Sequence, residues 1–367
     1  MTTRLHALRD AGTSPWLDYI DRAMLGNGEL ARRIRDDALM GMTSNPTIFE
    51  KALAEGTAYD AELAGLPASL SPRECFERLA TTDVQAACDA FAGVYTDTDG
   101  VDGYVSLEVG PDLAHDAPGT IAEAHRLWTA VNRPNLMIKV PGTEAGVTAT
   151  RALIADGLNV NVTLLFSVDA HARIIEAYLQ GLEARSAAGH AIHHVASVAS
   201  FFVSRVDSTI DALLGTERAA LQGKTAIANA KRAYALFARE FSGARWAALH
   251  ALGGRVQRPL WASTSTKNPA YRDVMYVEAL IGPHTVNTLP PATLDAFRDH
   301  GDTARTVDAD VEAAEAHLAA LIEARVDLTA VTDTLLADGL ASFTASFETL
   351  LAGLDAKRAQ LSTGVSA

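Results

Sequence analysis

Residues Leu136–Gly146 read LMIKVPGTEAG and set one lysine, Lys139, among apolar neighbours on a segment with the composition of a β-strand. An ammonium is costly to desolvate there. Either the side chain snorkels to the strand end and keeps its charge in water, or its amine is a reagent. Outward from this strand, short apolar runs rich in β-branched residues alternate with longer amphipathic ones. The candidate strands are PWLDYI, ALMGMTS, GYVSLEV, LMIKVP, NVNVTLLF, HHVASVASFFV, RPLWAST and HTVNTLP. Helical patterns such as GELARRIRDDA, TIAEAHRLWTAV and VDAHARIIEAYLQGLEARSAAG lie between them. Strand–helix alternation sustained through all of these runs predicts an α/β fold, a parallel (β/α)8 barrel of the TIM type. A doubly wound sheet is the alternative. It is disfavoured because no Gly-rich dinucleotide loop follows the first strand and no GxxxxGK[ST] phosphate loop occurs.

The intervals Thr47–Asp102 and Val206–Gly254 are too long for one crossover helix, so each is expected to hold two or more. After Pro291 the pattern is helical nearly to the end. Residues 1–367 are therefore read as a single barrel domain, with C-terminal helices over about 305–360 packed across it. The STGVSA tail is expected to fray.

The chain has 367 residues, 48% of them hydrophobic, enough for a large core. Its net charge of −14 argues against nonspecific nucleic-acid binding, which wants a basic face, but leaves room for a local anion site. The only two cysteines, Cys75 and Cys88, have no metal-type spacing and read as reduced thiols of a cytosolic protein. The opening MTTRLHALRDAG lacks the apolar core of a signal peptide, and no apolar run reaches the roughly 18 residues of a membrane span. A soluble cytoplasmic protein that engages neither membrane nor nucleic acid is expected. Nothing in the sequence sets its oligomeric state.

In such a barrel, chemistry gathers at the C-terminal ends of the strands. Those ends carry Asp18, Asn45, Glu108, Lys139, Asn161 with Thr163, Ser200 with Arg205, and Ser263 with Lys267. Each has a plain structural explanation. Asp18 fits a helix N-cap, and Asn45 fits the cap of a helix beginning near Pro46. Thr163 is a good β-former, and Arg205 and Lys267 suit solvated positions. Glu108 is harder to dismiss, because the Gly-Pro that follows SLEV offers no helix start to cap. Adjacent His193 and His194 would point to opposite faces of a strand and cannot easily share a metal.

Taken together, these groups suit an amine nucleophile. Such a lysine needs a pKa lowered from about 10.4 towards about 7–8, and apolar neighbours such as Ile138 and Val140 favour that by desolvation. It also needs a proton carrier while a carbinolamine collapses to an imine. Glu108, one strand before, is placed for that, and Thr163, one strand after, can hold the relaying water. Asp18 can take the proton from the hydroxyl whose loss breaks a carbon–carbon bond. Asn45 and Asn161 suit sugar hydroxyls, and Arg205 with Lys267 suits a phosphate.

GMTSNPTIFEKAL and LMIKVPGTEAGVTATRAL resemble the two sequence signatures of transaldolases, especially the longer bacterial branch. NVNVTLLFS, FFVSRVD and LWASTSTKNPAYRDVMYVEALIGPHTVNTLP continue the likeness in the same order, from about Trp16 to Pro290. The resemblance implies an enzyme that moves a dihydroxyacetone unit between sugar phosphates in the non-oxidative pentose phosphate pathway. The donor is sedoheptulose 7-phosphate or fructose 6-phosphate, and the acceptor is glyceraldehyde 3-phosphate or erythrose 4-phosphate. Neither metal nor organic cofactor is implied. Lys139 matches the Schiff-base lysine, Glu108 and Thr163 the pair that handles the catalytic water, and Asp18 the acid–base aspartate. Asn45 and Asn161 match donor-hydroxyl ligands, and Ser200, Phe202 and Arg205 match a segment lining the site.

Two departures stand out. The chain has Ser-Phe-Phe-Val-Ser-Arg where shorter transaldolases have Ser-Pro-Phe-Val-Gly-Arg. Lys267 stands nearest to their second phosphate arginine and would bind as a point charge, with Ser263 or Ser265 as the phosphate-contacting serine. Two alternatives frame the expectation. One is a lysine-dependent fructose-6-phosphate-type aldolase releasing free dihydroxyacetone; the other is a sugar-phosphate binding protein without catalysis.

Overall fold

The structure, a computed structural model, describes residues 3–54 and 56–362. Eight strands run in parallel and close on themselves in chain order. They are β1 (Thr13–Asp18), β2 (Gly41–Thr43), β3 (Val105–Glu108), β4 (Leu136–Pro141), β5 (Val160–Leu165), β6 (Ser197–Phe202), β7 (Arg258–Ala262) and β8 (Thr285–Leu289). Closure comes from β1 pairing with β8 over Thr13↔Thr285 through Leu17↔Leu289. An open doubly wound sheet is thereby ruled out. Every residue of β4, β5 and β6 is buried, as a strand between a filled interior and a helical jacket must be.

The stretch 136–146 shows how tightly strand and helix are joined. After β4 the chain turns at Gly142, and Thr143 Oγ1 accepts from the Gly146 amide at 3.0 Å to cap the helix Glu144–Asp156. A Cβ on Gly146 would sit 1.8 Å from the Pro141 carbonyl oxygen, so only glycine allows this close return.

Both long intervals hold several helices. Pro46–Ala54, Asp60–Gly65 and Pro72–Asp97 lie between β2 and β3. Between β6 and β7 lie Ser204–Leu214, Thr225–Glu240 and Ala244–Ala251, with a 3-10 segment at Thr216–Leu221. After Pro291–His300 and Val311–Glu323, one long helix, Leu328–Ser362, crosses the C-terminal mouth of the barrel. It packs on Pro46–Ala54, Pro72–Asp97 and Ser204–Leu214. Gly339 lets it approach: a Cβ there would lie 2.9 Å from Leu164 Cδ2. Residues 363–367 of the STGVSA tail lie outside the described residues. No helix among the described residues is long and apolar enough to cross a membrane.

His193 and His194 differ from expectation. They occupy a turn ahead of β6, which begins only at Ser197, and their rings meet edge to face at 5.2 Å between centroids. Alternation to opposite faces therefore does not apply to them.

Candidate active site

Register brings the charged strand ends to one level. Glu108 on β3 is the Cα partner of Lys139 on β4, and Lys139 is the partner of Asn161 on β5. Asn161 and Thr163, two apart on β5, point to the same side. The β5–β6 register shifts between Val162 and Leu165, and Leu164 takes a left-handed φ of 59°. A bulge directly after Thr163 re-aims the strand end, at a conformation uncommon for a branched residue.

The Lys139 side chain is 5% exposed and that of Glu108 6%, with Nζ 3.1 Å from Oε2. Nζ also donates to the Ser44 carbonyl at 3.0 Å, and the Phe343 ring lies 5.9 Å away. Burial pushes the Glu108 carboxyl above its usual range; Lys139 opposes this and Asp18 adds to it. Burial raises Asp18 as well, against Lys139, the Thr43 hydrogen bond and Arg205. Two carboxyls reluctant to ionise therefore flank the amine. A buried ion pair seldom repays its desolvation in stability, which points to a chemical reason for keeping it.

Asp18 is not a helix cap. Asp21 has that task, accepting from the Met24 amide at 2.7 Å. Asp18 instead accepts from Thr43 Oγ1 at 2.8 Å, and Thr43 shares a second bond with Thr288 at 2.7 Å. Asn45 serves two ends: its Oδ1 caps the helix Pro46–Ala54 through the Ile48 amide at 2.9 Å, and it also lines the cavity above the barrel. Thr163 Oγ1 is buried and has no hydrogen-bond partner among the described residues.

The cavity measures about 330 Å³ and opens at the C-terminal mouth. Asp18, Asn45, Lys139, Thr163, Ser200, Phe202, Arg205, Ser263, Ser265 and Lys267 all line it. Glu108 and Asn161 do not. Glu108 reaches Lys139 from the side, and Asn161 lies deeper. Its Nδ2 donates to Ser106 Oγ at 3.0 Å and its Oδ1 accepts from Ser200 Oγ at 2.7 Å. Both of its polar atoms are thus engaged within the protein.

One end of the cavity is cationic. The Arg205 guanidinium lies 5.2 Å from the Phe202 ring, and burial lowers its pKa from the ordinary value while Asp18 raises it. Burial lowers that of Lys267 too, helped by Arg205 and then Lys51. Lys267 Nζ donates to Ser265 Oγ at 2.9 Å. Ser263, at φ 55°, shares a bond of 3.0 Å with Ser204 Oγ. Both candidate serines therefore face the cavity, with Ser265 the one tied to a cation. Among the described residues no cluster of His, Cys, Asp or Glu is placed to hold a metal ion.

Sequence reasoning missed Thr43, Ser44, Thr288, Lys51, Ser342 and Phe343. Thr43 and Ser44 sit in the TSNP run and signalled only a strand end; their contacts depend on β1, β4 and β8. Phe343 read as one more apolar position of an amphipathic helix.

The family model described as Transaldolase/Fructose-6-phosphate aldolase matches residues 15–354. A protein named transaldolase from Thermobifida fusca is 49% identical, covering 96% of this chain and 97% of its own length. Another of that name from Mycolicibacterium smegmatis is 47% identical, covering 97% of both chains. A third, from Trichodesmium erythraeum, is 46% identical, covering 97% of this chain and 98% of its own. With the barrel and the paired Lys139 and Glu108 at its mouth, the chain belongs to the transaldolase/fructose-6-phosphate aldolase family.

Proposed function

We propose that this transaldolase works through an imine on Lys139, moving a dihydroxyacetone unit from fructose 6-phosphate or sedoheptulose 7-phosphate to an aldose phosphate. The observation that carries the reading is the desolvated Lys139–Glu108 contact at 3.1 Å beside a cavity with a cationic end. Burial pushes the Glu108 carboxyl up, which suits it to take and return protons beside the amine. The amine adds to the donor ketone, and Glu108 carries protons while the carbinolamine loses water. An unpartnered buried hydroxyl is costly, so Thr163 Oγ1 suits a role holding that water.

Asp18 then takes the proton of the C4 hydroxyl, the C3–C4 bond breaks, and the aldose phosphate leaves. The electron pair of the broken bond stays on the three-carbon unit as an enamine, which attacks the acceptor aldehyde as Asp18 returns its proton to the new hydroxyl. Hydrolysis of the new imine frees Lys139. Asn45 and Ser200 fit donor hydroxyls, Asn161 supports Ser200 from below, and Phe202 carries Arg205. Arg205 and Lys267, with Ser265 and Ser263, bind the phosphate. Buried, free Cys75 and Cys88 fit a cytoplasmic setting within the pentose phosphate pathway.

Borohydride trapping with fructose 6-phosphate, followed by peptide mass mapping, tests the reading. A reduced dihydroxyacetone adduct on the peptide containing MIKVPG, absent from Lys139→Ala, is expected. No adduct on folded protein with saturating sugar phosphate would sink it and favour a binding protein. Added erythrose 4-phosphate separates transfer from release of free dihydroxyacetone, the aldolase outcome.

A further inference from the structure

We infer that Lys51 completes the phosphate end of the cavity with Arg205 and Lys267, and that it sets the preference for phosphorylated over unphosphorylated sugars. The inference rests on the reading of this cavity as a sugar-phosphate site. Lys51 lies on the helix Pro46–Ala54, which Asn45 starts at the rim of the barrel. Thr47, Ile48 and Lys51 all line the cavity, the spacing of one helical face. Phe49 and Leu53 bury the opposite side and hold the helix in that orientation.

A lysine in a last helical turn also complements the helix dipole. That reading does not explain where this one faces. Lys51 is close enough to Lys267, as Arg205 is, to disfavour its charged form. None of Lys51, Arg205 and Lys267 has a carboxylate within ion-pair distance among the described residues. Like charges turned towards one end of the cavity, with Asp18 acting on Arg205 only from beyond ion-pair distance, repel each other, and a phosphate dianion bound among them relieves that repulsion. Arg205 offers a planar fork, whereas Lys267 and Lys51 offer mobile point charges. A second lysine thus supplies positive charge that one lysine alone does not.

The test compares kcat and KM for fructose 6-phosphate and for fructose, with erythrose 4-phosphate as acceptor. Lys51→Ala is expected to raise KM for fructose 6-phosphate about fivefold, with kcat reduced less than twofold, as for a partly exposed ionic contact. Its ratio of kcat/KM for fructose 6-phosphate over fructose falls by a similar factor. Lys51→Arg restores the ratio, Lys51→Glu lowers it further, and added salt shrinks the difference. An unchanged ratio in Lys51→Ala, or equal losses for both sugars, overturns the inference. Arg205→Ala separates the two levels. If it also leaves the ratio unchanged, the phosphate reading of the cavity fails; if it lowers the ratio and Lys51→Ala does not, only the role of Lys51 fails.

Discussion

Glu108 and Lys139 are Cα partners on adjacent strands, and their side chains meet at 3.1 Å with almost no exposure to water. Parallel pairing in register is what puts a carboxyl beside the amine. Glu108→Gln keeps the shape and removes the base. It is expected to lower kcat by about a hundredfold to a thousandfold with little change in KM, the scale of a lost acid–base group. Pre-steady-state imine formation should slow in proportion. Equal kcat in wild type and Glu108→Gln would remove Glu108 from the proton path.

Phe343 comes from the long C-terminal helix and lies 5.9 Å from Lys139 Nζ. It is 4% exposed and covers the amine from above. Phe343→Leu should let water reach the three-carbon intermediate, raising the ratio of free dihydroxyacetone released to dihydroxyacetone transferred. Chromatography of products with and without erythrose 4-phosphate reads that ratio. An unchanged ratio would leave Phe343 as a packing residue.

At the opposite, N-terminal end of the barrel, Arg258 Nη2 pairs with Asp102 Oδ1 at 2.9 Å. Trp16 Nε1 and Ser14 Oγ also donate to that carboxylate, at 2.9 and 2.6 Å. Asp102→Ala leaves a buried guanidinium uncompensated, at a cost of about 3–5 kcal/mol. Denaturant unfolding should record that loss while kcat and KM at 25 °C stay within twofold, because this end of a barrel carries stability and the other carries chemistry. A large kinetic effect in fully folded protein would contradict that division.

Asp207, 1% exposed, accepts from the Ala226 amide at 2.7 Å and the Tyr276 hydroxyl at 2.9 Å. Burial pushes its pKa up from 3.8 to about 6, although those hydrogen bonds pull it down. The folded chain thus keeps this proton to higher pH than the unfolded one. Its contribution is complete below about pH 4 and is lost as pH rises through 6, on the order of 3 kcal/mol in all. His171 acts in the opposite sense. Burial lowers its pKa from 6.5 to about 4, so its contribution is present above 6.5 and lost as pH falls through 4. Asp207→Asn should therefore show a stability that falls more steeply on acidification from pH 6 to 4 than wild type. Parallel stability–pH curves for the two proteins would refute this.

Much of the barrel was legible along the chain. β4 falls on LMIKVP residue for residue, because an apolar β-branched run between turns admits few other readings. β1 starts earlier than its apolar run suggests, at Thr13, since Thr13 and Thr285 bond each other at 2.8 Å inside the closed barrel. Polar residues read as loop until the partner strand is known. β6 starts later than HHVAS suggests, because the His193–His194 turn is needed to enter it.

The candidate site divides in the same way. Residue types at strand ends are local facts, so Asp18, Glu108, Lys139 and Thr163 stood out from the sequence, with a plausible task for each. Strand order and parity, also carried by local pattern, implied that these groups share one mouth. Which atoms touch was decided by closure of the barrel: the bond from Thr43 to Asp18, the Ser44 carbonyl under Lys139, and the helical face that turns Lys51 towards Arg205 and Lys267. So was the return of the C-terminal helix, which sets Phe343 over the amine. Hydrophobic period reports which face of an element is buried but not against what. The sequence by itself determined the barrel and which residue types stand at its strand ends. Only tertiary structure decided the lid and the third cation, because both depend on contacts between segments far apart in the chain.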